Sequence, residues 1–143
     1  MKNFFWLDGT LHLNTRDMAR FGLLINNRGT WDKQAILTDE AYFNAMMSTS
    51  QNLNQSYGYL WWLNGKSSSM MPGGQNVFPG SMAPNAPADL IMALGKDDKK
   101  IYIVPSLGLV VVRQGDDAGT SGVGPTAFDD IFWSKLRLAV KKW

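Results

Sequence analysis

Residues 89–114 read DLIMALGKDDKKIYIVPSLGLVVVRQ, three β-rich runs separated by two short polar or turn-forming connectors. Asp89 to Gly95, Ile101 to Val104 and Leu109 to Gln114 are rich in β-branched and apolar residues, the composition that fits a pleated, buried surface. The connectors Lys96-Asp97-Asp98-Lys99-Lys100 and Pro105-Ser106-Leu107-Gly108 are too short for a crossover, so neighbouring runs must pair antiparallel, as a meander. The carboxylates and lysines of the first connector read as solvated turn residues, because turn chemistry alone accounts for them.

Upstream, the apolar positions Met18, Phe21, Gly22 and Ile25 keep i, i+3, i+4, i+7 spacing, which predicts a helix over 16–28 with Thr15 as cap, Asp17 at its positive end and Gly29 as stop. Thr38 repeats the signal, with Asp39 and Glu40 in the first turn, so a second helix is expected over 39–48. The run Tyr57-Gly58-Tyr59-Leu60-Trp61-Trp62-Leu63 has no polar alternation and reads as a strand with both faces covered or with one face awaiting a partner, ending at Asn64-Gly65. Residues 66–88 have no period and read as a long loop lining a site or crossing another segment. Downstream, Thr126 with Asp129 makes a capping-box start for a helix over 127–142. Its packing face is expected to be Phe128, Ile131, Phe132, Leu136 and Ala139. This order suits an α+β fold, an antiparallel β-sheet with packed helices.

Composition bounds the function classes. A chain of 143 residues with 45% hydrophobic and 18% charged residues is of a size and make-up to bury one core, and one domain is expected. A formal charge of +2 is too small to suggest nucleic acid, and Lys99-Lys100 and Lys141-Lys142 read as solvated element ends. The absence of cysteine excludes disulfides and thiolate metal sites. Met1 to Leu7 falls far short of a signal core or a membrane span, so export and membrane insertion are not expected from this stretch, and the compartment stays open.

Little chemistry is visible residue by residue. His12 is the single histidine and sits in a short segment before a helix cap, where it reads as structural or exposed. No ligand spacing for a metal and no phosphate-cradling loop occurs, so no cofactor is expected. The aromatics of 57–62 could stack on a sugar, but aromatics of a buried strand more often form core.

Several segments, taken in order, resemble one family. They are Thr15 to Leu24 (TRDMARFGLL), Ser56 to Trp62 (SYGYLWW), Phe78-Pro79-Gly80, Ala93-Leu94-Gly95, and Ile101 to Arg113 (IYIVPSLGLVVVR). The chain is similar through nearly its whole length to the C-terminal portion of β-lactamase-related serine hydrolases, the branch of 6-aminohexanoate-dimer hydrolase and related esterases within the β-lactamase and penicillin-binding-protein superfamily. The resemblance implies a partial β-lactamase/transpeptidase-like fold and hydrolysis of an ester, amide or β-lactam through an acyl-enzyme. Such chemistry needs a Ser-x-x-Lys pair to make the nucleophile and backbone N–H groups to hold the oxyanion. No serine here has a lysine three residues later. Tyr42-Phe43-Asn44 spells Tyr-x-Asn but sits in a predicted helix, downstream of the family's tyrosine, and is set aside.

What the resemblance implies for this chain is the third-motif strand, at Leu94, Gly95 and Lys96. Lys96 would contribute its backbone amide just after a glycine that lets a ligand approach. Trp61, Trp62 and Phe78 are implied as substrate-lining. Relatives often carry Gly-Gln or Asp-Gln shortly after the glycine, whereas Asp98-Lys99 stands here, so no side-chain role is expected at that place. Two readings follow. One is a C-terminal lobe that is inert alone and partnered by the missing N-terminal part of the hydrolase, with a small-molecule ester or amide substrate. The other is a non-catalytic binding module, or a homo-oligomer, derived from that fold. Neither nucleic acid nor a membrane is expected as partner.

Overall fold

The computed structural model describes residues 13–119 and 124–140. In chain order these form α1 (Thr15–Asn26), β1 (Thr30–Trp31), β2 (Gln34–Ala35), α2 (Glu40–Met46), β3 (Trp62–Leu63), β4 (Ser68–Met70), β5 (Val77–Pro79), β6 (Ile91–Leu94), β7 (Lys100–Val104), β8 (Leu109–Arg113) and α3 (Ala127–Ala139). The fold is α+β. The main sheet has the order β3-β6-β7-β8, antiparallel throughout, and the pairs β1-β2 and β4-β5 are separate ribbons. The meander over 89–114 is therefore present, in the expected order.

Alternation along the strands divides the core into two layers, because successive side chains of a strand point to opposite faces. Leu63, Ile91, Ala93, Ile101, Ile103, Val110 and Val112 pack with Ile25 of α1 and with Phe43 and Met46 of α2. Trp62, Met92, Leu94, Tyr102, Val104, Leu109 and Val111 pack on the other face with Phe132, Trp133 and Leu136 of α3. A glycine at 22 lets α1 seat against β8: a Cβ there would stand 2.6 Å from Val110 Cγ1. This close approach offsets the roughly 1 kcal/mol that a helical glycine costs relative to alanine.

The element boundaries depart from expectation where side-chain oxygens choose between caps. Asn14, not Thr15, caps α1 by accepting the Asp17 N–H, and Thr15 instead donates to Gln114 Oε1 at 2.6 Å. Asp39, not Thr38, caps α2 through the Tyr42 N–H. The aromatic run is not one strand. Leu60 takes a positive φ of 65° and Tyr57 bridges back to Trp62, so the run doubles on itself and only Trp62 and Leu63 join the sheet. The stretch 66–88 is not wholly loop either, since it carries the β4-β5 ribbon.

Helix α3 starts at the predicted capping box, with both reciprocal bonds between Thr126 and Asp129. Its buried arc is rotated from the expected stripe. Trp133 is 0% exposed and Asp129 is buried, with Phe132 and Leu136 beside them. Ile131 is 56% exposed, Ala139 is exposed and Phe128 is half-buried, so these three do not form the inward face. Phe132 and Leu136 are common to both faces, while Asp129 and Trp133 stand where Phe128, Ile131 and Ala139 were expected.

Candidate functional site

The third-motif residues lie where β6 ends. Gly95 donates its N–H to Lys99 O at 2.8 Å, towards β7. Lys96 follows as a single bridge residue beyond the strand and opens the turn to Lys99. On the edge of β6 away from β7, β3 pairs only with Ile91 and Met92, so it does not cover the strand beyond them. Gly95 itself is not required by the chain. Its φ is not positive, and among the described residues a Cβ would meet only Lys99, at 3.4 Å from the carbonyl oxygen and 3.7 Å from Cβ.

The turn that follows is strained and pinned. Lys99 N–H closes it on Lys96 O at 3.3 Å, with Asp97 and Asp98 at φ 55° and 53°. Two successive left-handed residues other than glycine cost on the order of 1–3 kcal/mol each and persist only where surroundings hold them. Arg113 supplies part of that hold, donating to Asp98 O at 2.9 Å and Asp116 O at 2.8 Å while its guanidinium lies over the Phe128 ring at 5.0 Å. The Asp98 carboxylate supplies the rest: it pairs with Lys100 at 3.1 Å and accepts from the Thr126 hydroxyl at 2.7 Å and the Ala118 N–H at 3.1 Å.

Lys100 continues the network into α3. Its ammonium is 3.1 Å from Asp129 and donates to Gly124 O at 3.1 Å. Asp129 also accepts from Tyr102 Oη at 2.5 Å and from the Thr126 N–H at 2.7 Å. Burial, and then the charge of Asp129, hold the Tyr102 phenol well above its ordinary pKa, so it serves as a neutral donor and not as a proton relay. The expectation that 96–100 is a solvated turn is thus corrected, since Lys100 is 0% and Asp98 1% exposed. The missed signal was the strand period, which puts Lys100 on the inward face with Tyr102 and Val104. A buried lysine then demands buried carboxylates.

The aromatic candidates separate. Trp62 shares the face of Leu94 and lines a cavity of about 340 Å³ with Tyr57, Met70, Met71 and Pro72. A Cβ on Gly124 would stand 3.2 Å from the Trp62 ring, so Trp62 lies beside the loop that Lys100 holds. Trp61 is on the opposite layer, its ring stacked on Phe21 at 6.1 Å, and it lines a different groove of about 330 Å³. Phe78 is 48% exposed on β5. Trp61 and Trp62 are both buried core, so the strand does not present a sugar-stacking platform.

Tyr42 is exposed on α2 against Tyr59, consistent with its being set aside. His12 and Lys141-Lys142 lie outside the described residues. Among the described residues no three His, Asp or Glu side chains are placed to hold a metal ion, and no helix is long and apolar enough to cross a membrane. The arrangement offers a pinned turn at the end of β6 and, on the Trp62 side of the sheet, a mainly apolar cavity. Neither a scan against family models nor a search of curated proteins finds a match to this chain.

Proposed function

We propose that this chain is the C-terminal lobe of a β-lactamase-related serine hydrolase acting on an ester, amide or β-lactam, and that it supplies the strand whose Lys96 amide completes an oxyanion hole. The observation that carries the reading is Gly95. It stands at the end of β6 without positive φ and without a close neighbour that a Cβ would displace, so the lobe itself does not demand a glycine there, and its absent side chain leaves the backbone open to close approach by a ligand. The pinned 96–99 turn fits the same role, because a donor aimed at developing charge must not reorganise during reaction.

The nucleophile would come from the segment that bears Ser-x-x-Lys. The test is to treat the chain alone, and the chain co-expressed with its upstream coding segment, with a fluorophosphonate and then with an activated ester. The chain alone keeps its mass, while the pair labels upstream and hydrolyses the ester. Gly95→Val in the pair lowers kcat by about 10²–10³, the effect of losing one oxyanion donor. An adduct on this chain alone, or full activity of the Gly95→Val pair, defeats the reading. A non-catalytic binding module is the second reading, favoured by the exposed side chains of Phe21, Ile36, Tyr42 and Leu60 on the α1-α2 side. An upstream sequence without Ser-x-x-Lys would decide for it.

A further inference from the structure

The tip of the doubled aromatic run combines two unfavourable features. Tyr57 bridges to Trp62 and the Gly58 N–H donates to Trp61 O at 2.8 Å, so Tyr59 and Leu60 form the tip of a tight hairpin. Leu60 holds a φ of 65°, in the left-handed region that glycine enters freely and a residue with a Cβ enters at a cost. The residue is also 82% exposed, so the free chain recovers almost nothing by burying it. Glycine at 60 would remove both costs.

A recess lies next to this projection. Tyr59, before Leu60, has its ring 6.0 Å from that of Tyr42 in the wall of the α1-α2 groove, and Trp61, after it, lines the groove directly. The groove, of about 330 Å³, is mainly apolar, walled by Phe21, Ile36, Leu37, Phe43 and Met46. Charges of both signs border it, Arg20 beside Phe21 and Trp31, and Asp39 with Glu40 next to it beside Leu37. A face of mixed sign meets its own copy without the like-charge repulsion that a face of one sign would bring.

We propose that this face is a two-fold interface between copies of the chain, with Leu60 of each copy seated in the α1-α2 groove of the other. A contact across a two-fold axis requires a surface that is complementary to itself, and a projection beside a recess on one face meets that requirement. Burial of Leu60 and of the groove wall drives the association. The turn already holds Leu60 outward in the free chain, so little ordering is added on binding. The contact uses neither Gly95 nor Lys96 and does not depend on the hydrolase reading.

The experiment is sedimentation of the chain, of Leu60→Gly, which removes the projection and relieves the positive φ, and of Ile36→Glu, which puts a charge into the groove wall at an exposed position. At tens of micromolar the parent is a dimer and each variant alone is a monomer. Mixed in equal amounts the two variants associate again, because Leu60 of the Ile36→Glu chain finds the intact groove of the Leu60→Gly chain. That pair keeps one of two contacts and is weaker than the parent by at least about tenfold, a difference of 1.4 kcal/mol. Leu60→Gly also unfolds at a denaturant midpoint no lower than that of the parent held dilute enough to be monomeric. A monomeric parent, a Leu60→Gly chain that associates as the parent does, or a mixture that stays monomeric while the parent is a dimer would overturn the proposal. So would a species that keeps growing with concentration, the mark of a head-to-tail contact.

Discussion

Removing the Lys100 ammonium leaves Asp98 and Asp129 buried together with no cation between them, whereas removing an exposed lysine such as Lys99 leaves nothing stranded. Breaking a buried ion pair from one side costs about 3–5 kcal/mol, while exposed pairs contribute about 0–1. Lys100→Met is therefore expected to unfold at far lower denaturant than Lys99→Met, and equal midpoints would refute the network. Gly95→Ala belongs with the harmless class, since the added Cβ meets only ordinary contact, and it should change stability by under about 1 kcal/mol. Tyr102 gives a pH signature. Its proton is held in the folded state above the ordinary value of 10.0, so above that pH the unfolded chain binds fewer protons and stability falls as pH rises. Below pH 10 the group contributes no slope. Tyr102→Phe should flatten the alkaline limb, measured by denaturant midpoints at pH 9 and 11. At this scale the sequence was legible where a residue acts alone, as with Gly95 at a strand end. It was misleading for Lys100 and Asp98, because a charge in a turn reads as solvated until its partners 20 or more residues away are known.

The elements followed the same division between local and distant causes. The meander was legible because two short connectors and three apolar runs leave antiparallel pairing as the one economical topology. The two main helices were legible by period, α1 expected over 16–28 and found at Thr15–Asn26, and α3 expected from 127 and found to start at Ala127, although the cap of α1 was misplaced. The aromatic run was not, since its turn at Leu60 depends on a positive φ that no leucine advertises. Nor was the rotation of α3, which is set by Asp129 reaching Lys100 and by Trp133 filling the space beneath Tyr102, with the two rings edge-on at 5.5 Å. Two substitutions separate the observed face from the expected one. Trp133→Ala should lose about 3–5 kcal/mol, the cost of emptying a large core side chain, while Ile131→Ala should stay within about 0.5 kcal/mol. The reverse ranking in urea unfolding would mean that α3 packs by the stripe read from sequence.

For the whole molecule, one group of exposed apolar side chains surrounds the α1-α2 groove, while others stand on β5 and α3, at Val77, Phe78, Ile131 and Leu138. Phe21, Trp31, Ile36, Leu37, Tyr42 and Tyr59 are all exposed around the α1-α2 groove, and Leu60 is 82% exposed beside them. Met70 is buried and Met71 and Met82 are half-buried, so the methionines are not part of this surface. Scattered exposed leucines need no explanation, but a contiguous patch rimmed by polar residues marks a surface that is covered when the protein works. Copies of the isolated chain are therefore expected to cover it with each other, by a self-complementary contact. Sedimentation at micromolar concentration should show a species heavier than the 15.9 kDa chain. Tyr42→Glu with Leu60→Glu should return it to the monomer while leaving the denaturant midpoint unchanged, because both side chains face solvent. A monomer at every concentration would refute the self-association.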